Sequence, residues 1–309
     1  MFIADAHCDA LWKMLAMKQP SFNGSSPLRV NTSSLKKGNV KIQNFALYTS
    51  VKDSLSRQKK NIMKELYLFK KYIAGNNLIK WTPWKPIQLT PFHTNAILSL
   101  EGAGMFGDNL HEWKNLKENG VEMASLTWNE KNELAAGSSQ SNKYGLTKAG
   151  KKVIAWQNQN HMVVDAAHLN ERSFWDVLEH AKHVAVSHAN VKALYDHPRN
   201  LSDQQIEALA KQNSFIGLTF YPRFINGSNS AVFTDLARQI DYLCSKGAEN
   251  IIGFGSDFDG IDTTIKGLES PADFPRLLEW LSKHFNEKII QGIAGVNFHH
   301  FWTRKRTKQ

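Results

Sequence analysis

Eight short runs of apolar, largely β-branched residues punctuate the chain, at residues 2–4, 40–47, 96–100, 122–126, 162–164, 184–186, 215–220 and 251–254. Between them lie stretches at 54–73, 147–160, 171–182, 202–212, 234–246 and 271–284 whose apolar residues recur three and four apart, the period of a helix with one buried face. Strand followed by helix, repeated, makes successive strands parallel, and eight repeats let the sheet close on itself as a (β/α)8 barrel of the TIM type. An open doubly wound sheet is the competing arrangement. It usually carries a Gly-rich dinucleotide loop after its first strand, and Asp5-Ala6-His7-Cys8-Asp9 stands there instead. Thr147 and Ser202 each precede a helical run, where a hydroxyl can accept from a first-turn amide, so both are expected N-caps.

One such barrel accommodates all 309 residues, so 1–309 is read as a single domain with a basic tail from about residue 303, expected to be disordered. A 42% hydrophobic and 21% charged composition supplies a core and excludes a disordered chain. Asp5 and Asp9 interrupt what a secretory leader would need as an unbroken apolar run, and no later segment reaches the length of a membrane span; no membrane insertion is expected. Two cysteines, Cys8 and Cys244, make no disulfide framework, which fits a reducing, cytoplasmic setting. The net charge of +10 comes from lysines scattered over helical stretches and from the terminal cluster of Arg304, Lys305, Arg306 and Lys308. No nucleic-acid partner is expected without a recognised module, and a grip on anionic polymers is the other use such a surface could have.

The chemistry sits where the apolar runs stop. His7 and Asp9 follow the first run, and alternation along an extended chain turns both side chains to one side. Alone, the pair would more often be a surface histidine and a helix-capping aspartate. But Glu101, His168, His188 and Asp257 also end apolar runs, and barrel enzymes place their catalytic groups at the C-terminal ends of strands. The remaining histidines fall in loops, on helices or at the start of a strand. Three histidines and two carboxylates are too many for one tetrahedral zinc and suit two, if Glu101 bridges them together with a water or hydroxide. His7 and Asp9 would serve one ion, His168 and His188 the other. The polar stretch 129–142 is expected to be a mobile or substrate-covering loop, and Tyr221 and Phe224 to shape a substrate pocket.

Taken together, DAHCD (5–9), LEGAG (100–104), SLTWN (125–129), GLTKAGKKVI (145–154), VVDAAH (163–168), SHAN (187–190), PRN (198–200), GFGSDFDG (253–260) and GLES (267–270) resemble the membrane dipeptidase, or renal dipeptidase, family of zinc-dependent dipeptidases. The resemblance covers nearly the whole chain. It implies that His7, Asp9, Glu101, His168 and His188 bind two zinc ions with the glutamate bridging, that Arg199 takes the substrate carboxylate, and that Asp257 is the catalytic acid–base. The substrate it implies is a dipeptide, including those with a C-terminal D-residue, and the assembly it implies is a homodimer. One departure stands out: Trp128, followed by Asn129, occupies the place of a substrate-binding histidine, and either could donate to the scissile carbonyl. The rival readings are a barrel amidohydrolase of another small amide and a metal-binding protein without catalysis. The former often carries HxH and a modified lysine, where this chain has HxD and Glu101.

Overall fold

A computed structural model describes residues 1–307, with side chains to residue 305. The strands are β1 (Ile3–Asp5), β2 (Val40–Tyr48), β3 (Ile79–Lys80), β4 (Thr94–Glu101), β5 (Val121–Ser125), β6 (Val163–Asp165), β7 (Val184–Ala189), β8 (Phe215–Leu218) and β9 (Ile252–Phe254). β1 pairs with β2 and with β9, β2 with β4, and β4 to β9 pair in sequence, all parallel, so eight strands close into the expected barrel. The two-residue β3 only extends the start of β4.

Helices return the chain between strands. Thr147 accepts from Gly150 N at 3.0 Å at the head of α5 (Lys148–Gln159), numbered after α1 (Ala10–Leu15), α2 (Thr32–Lys37), α3 (Leu55–Leu68) and α4 (Leu110–Glu118). Following α6 (Glu171–His180), Ser202 and Gln205 exchange side-chain bonds with each other's backbone amides to open α7 (Asp203–Lys211). The expected helix over 54–73 is α3 followed by a π-helical turn over Phe69–Ala74, a local widening that still buries Phe69 and Ile73. The helix expected over 271–284 starts as a 3₁₀ turn at Pro271–Asp273 and becomes α-helical only over Phe274–Leu281.

The tail from about residue 303, expected to be disordered, is helical through Thr307. The last helix, Asn297–Thr307, runs through most of it, and Phe298, Phe301 and Trp302 plug the N-terminal end of the barrel against Ala4, Ile42, Met123, Ala185 and Phe215. Phe215 and Phe298 ring centroids lie 4.7 Å apart. Lys305 continues this face, 1% exposed, with its Nζ 3.4 Å from the Trp302 ring centroid. A cation over an indole face loses less by burial than one in hydrocarbon, and its methylene stem packs like an apolar side chain. Lys308 lies outside the described residues. Among the described residues no helix is long and apolar enough to cross a membrane.

Candidate active site

The site forms where the strand ends converge. Beyond β1 the chain stays extended beside the continuation of β9: Ala6 N donates to Phe254 O at 2.9 Å, Asp257 N to His7 O at 3.1 Å and Asp9 N to Phe258 O at 2.9 Å. This ladder holds His7 and Asp9 on one face, Nε2 to Oδ2 3.3 Å, with Asp257 Oδ1 3.8 Å from the same Nε2. Gly260 leaves room for that crowding, because a Cβ there would meet Asp9 Oδ2 at 2.2 Å and Asp257 Oδ1 at 2.9 Å and push both carboxylates aside. Asp257 and His168 both adopt positive φ, 65° and 67°, a conformation costing non-glycine residues on the order of 1–3 kcal/mol each.

Glu101, the last residue of β4, divides its carboxylate between two groups. One oxygen lies 3.5 Å from His7 Nε2; the other lies 2.7 Å from His168 Nε2 and 3.7 Å from His188 Nε2. The latter two nitrogens are 2.9 Å apart. Behind them, Asn129 Oδ1 sits 2.7 Å from His168 Nδ1, and Ser187 Oγ 2.8 Å from His188 Nδ1. An acceptor behind each Nδ1 puts the ring proton there and turns two Nε2 lone pairs toward each other and toward a carboxylate. A positive charge between them, a shared proton or a metal ion, relieves that arrangement.

His7 makes the same point differently. Among the described residues neither ring nitrogen has a hydrogen-bond partner, although the ring is buried and three carboxylates surround its Nε2. Burial alone would lower its pKa, but Asp9 and then Glu101 override it and raise it well above the usual histidine value. Burial, with Arg199 and other cationic neighbours, lowers His168 to about 4 and His188 well below the ordinary range. Burial and then the Asp9 carboxylate push Asp257 well up. Ligand atoms of His7, Glu101 and His188, and of His7, Asp9 and Asp257, form groups within 4.8 Å, a nitrogen and oxygen set that suits a divalent ion such as zinc.

A cavity of about 420 Å³ opens over these groups and is lined by Trp128, Asn129, Tyr221, Phe224 and Asp257. Trp128 stacks on His168, 5.7 Å between centroids. Asn129 Oδ1 is committed to His168 and to Ser138 Oγ at 2.8 Å, leaving only its amide nitrogen for a substrate. Arg199 is not on the cavity wall. It is buried behind His188, with Nη2 donating to His188 O at 3.0 Å, Nε unpartnered, and Cζ 5.6 Å from the Phe224 ring. The 129–142 stretch is tied down: Ser138 N donates to His168 O at 2.7 Å, Gly137 bridges to Leu169, and Leu134 to Ala136 are buried. Sequence reasoning missed Trp12 and Tyr48 in the cavity wall; Trp12 stands three residues after Asp9 on α1, the spacing that returns a helical side chain to the same side.

The sequence signature of the membrane dipeptidase family, peptidase family M19, matches residues 1–309. An uncharacterized Klebsiella pneumoniae protein from the pqqA 5′ region is 34% identical over 205 residues, 63% of this chain and 75% of that protein. The dipeptidase aclJ of Aspergillus oryzae is 29% identical over 216 residues, 67% of this chain and 51% of its own length. Among solved structures, a Rhodobacter sphaeroides metallo peptidase liganded with a phosphinate mimic of the dipeptide L-Ala-D-Ala superposes with a TM-score of 0.89 at 20% identity, covering 99% of each chain.

Proposed function

This chain belongs to the membrane dipeptidase family of metal-dependent peptidases that cleave dipeptides, and from that premise we propose how its own residues carry the hydrolysis. The observation that carries the proposal is Glu101, one carboxylate facing His7 with one oxygen and the His168/His188 pair with the other. We assign His7, Asp9 and Glu101 to one zinc ion and His168, His188 and Glu101 to a second. When bound, such ions would supply Lewis acidity and would bring a coordinated water toward ionisation near neutral pH.

The protein's groups do the remaining work. Asp257 Oδ1, among His7, Asp9 and Glu101, accepts the proton lost by the attacking water and returns it to the leaving amine. Its raised pKa reflects burial beside carboxylates, and positive charge in the site restores the ionised form that a base requires. Trp128 and Asn129 line the cavity where the scissile carbonyl would lie, so a donor from this pair, the indole N–H or the carboxamide NH₂, would steady the developing oxyanion. Arg199 supplies positive potential for the substrate carboxylate from behind His188, with Nε its uncommitted donor. Tyr221 and Phe224, ring centroids 4.9 Å apart, form the apolar wall for a side chain. The same proposal places the enzyme in a reducing, cytoplasmic setting, on its two unpaired cysteines, and in a homodimer, on the family resemblance.

The mimic held by the Rhodobacter enzyme makes L,D substrates part of the test. Free amino acids released from a panel of L,L and L,D dipeptides are measured with zinc-loaded protein, chelated protein and the Asp257→Asn variant. Zinc-dependent release that falls about 10²–10⁴-fold in the variant is expected for a lost acid–base group. Two zinc ions bound without cleavage of any dipeptide would sink the substrate assignment.

A further inference from the structure

Two buried aspartates that the proposed reaction does not use occupy matching places. Asp5 ends β1 and Asp165 ends β6, and each reaches to the neighbouring strand to engage the serine directly before a site residue. Asp5 accepts from Ser256 N at 2.8 Å and Ser256 Oγ at 2.7 Å, one residue before Asp257. Asp165 accepts from Ser187 N at 3.0 Å and Ser187 Oγ at 2.6 Å, one residue before His188. Each also accepts an amide of its own segment, His7 N at 3.4 Å or Ala167 N at 3.0 Å. The same device thus latches two pairs of adjacent strand ends.

The copies differ in what lies beyond the hydroxyl. Ser256 Oγ faces the His7 carbonyl at 3.1 Å and accepts from Phe258 N at 3.2 Å, with no imidazole nitrogen among its partners. Ser187 Oγ lies 2.8 Å from His188 Nδ1. A serine hydroxyl has one proton, and at 2.6 Å from the Asp165 carboxylate it is spent there, so toward Nδ1 the oxygen can only accept. We propose that Asp165 and Ser187 form a positioning chain that fixes the tautomer of His188, a carboxylate–histidine pair with a hydroxyl between. Its consequence is a proton on Nδ1 and an Nε2 lone pair presented to the site. The inference rests on the zinc assignment above, because an oriented lone pair matters only to a ligand.

The chain predicts an inversion. Asp165 Oδ1 accepts two backbone amides, so in Asp165→Asn the carboxamide oxygen must take that position and the NH₂ group must face Ser187. Ser187 then accepts from the amide and donates to His188 Nδ1, moving the ring proton to Nε2. The variant is nearly isosteric.

Zinc affinity is measured by competition with a chromophoric chelator, on the full chain, for Asp165→Asn, Ser187→Ala, Ser187→Thr and Ser256→Ala, with thermal unfolding alongside. Ser187→Ala should weaken the site holding His188 about 10–100-fold, the usual cost of losing an outer partner, and Asp165→Asn at least as much. Ser187→Thr keeps the hydroxyl and should recover affinity. Ser256→Ala removes a buried hydroxyl that touches the His7 backbone and has no imidazole nitrogen behind it, so any loss should fall on stability and on the His7 half, leaving affinity at the site holding His188 within about threefold. In ¹⁵N spectra of the zinc-free protein, His188 should carry its proton on Nδ1, and on Nε2 in Asp165→Asn. Equal losses at the site holding His188 in the two alanine variants, or an unchanged His188 tautomer in Asp165→Asn, would overturn the proposal. A wild-type chain that binds no zinc would instead sink the functional assignment, and the tautomer measurement would still decide this one.

Discussion

The two halves of the site reach readiness for a cation by different physical means. On the His168/His188 side an acceptor stands behind each Nδ1, Asn129 for one ring and Ser187 for the other, and burial keeps both imidazoles neutral. On the His7 side no acceptor stands behind the ring, and Asp9, Glu101 and Asp257 crowd its Nε2. One half is organised by hydrogen bonds that aim lone pairs, the other by negative charge that holds a proton until a stronger cation displaces it. Hydrogen-bonded aim buys geometry at every pH where the rings are neutral, whereas charge buys affinity that protons contest.

Glu101 is the one side chain both halves share, so its neutralisation should break the comparison outright. Glu101→Gln removes a charge without changing shape, and leaves an NH₂ group facing either His7 or the His168/His188 pair. Loss of both ions and a fall in kcat/KM of at least about 10³-fold, roughly 4 kcal/mol of barrier, is the expected result. Zinc stoichiometry read beside the kinetics checks it. A variant that keeps one ion would show that the halves are independent sites and that the bridge is not shared.

Next in size is the response to pH. His7 has its folded pKa raised, so the zinc-free protein carries that proton through the neutral range, and zinc must expel it. Apparent affinity on this half should therefore fall as pH drops, by about tenfold per unit below the His7 pKa, which lies above the ordinary histidine value of about 6.5. His168 is held near 4 and His188 is also lowered, so the other half should keep its affinity from pH 7 down to about 5. Calorimetric zinc titrations in buffers of different ionisation heat would count the protons released. Two ions with the same pH slope would erase the distinction.

The sequence shows these halves unequally. The strand ends were legible because a carboxylate or imidazole directly after an apolar run has no packing reason to be there, as at Glu101 and His188. The fold was legible for the same reason: each barrel strand is a short apolar run, and most are separated by helical periods long enough to recognise. Six-residue helices such as α1 and α2 span under two turns and give no period to read. The last helix hid in its charges, although Phe298, Phe301, Trp302 and Lys305 fall at the three-and-four spacing of one buried face. The layer behind the ligands was not legible, because Asp165 meets Ser187 only through the pairing of β6 with β7, which no local pattern states. Asn129 read as a donor to substrate because its neighbour Trp128 departs from the family pattern, while its oxygen turns to His168.

Gly260 gives the finest probe of the difference, since it touches only the charged half. Its Cα sits against Asp9 and Asp257, and a methyl group there must displace carboxylate oxygens that are the far ends of short side chains. Asp9 Oδ2, at 2.2 Å from the added carbon, must swing well aside and Asp257 Oδ1, at 2.9 Å, must give less, but both are ends of side chains and the ladder between the continuations of β1 and β9 stays intact, so the fold should tolerate Gly260→Ala. What changes is the placing of the Asp9 carboxylate and the separation of Asp257 Oδ1 from the His7 nitrogen, now 3.8 Å, and with them zinc affinity on the His7 half and the path of the proton. A displacement of that kind should lower kcat about tenfold, with KM and the affinity of the His168/His188 half unchanged. A KM effect of the same size as the kcat effect would mean that Asp257 and Asp9 hold substrate as well as proton, and that the charged half is the binding half too.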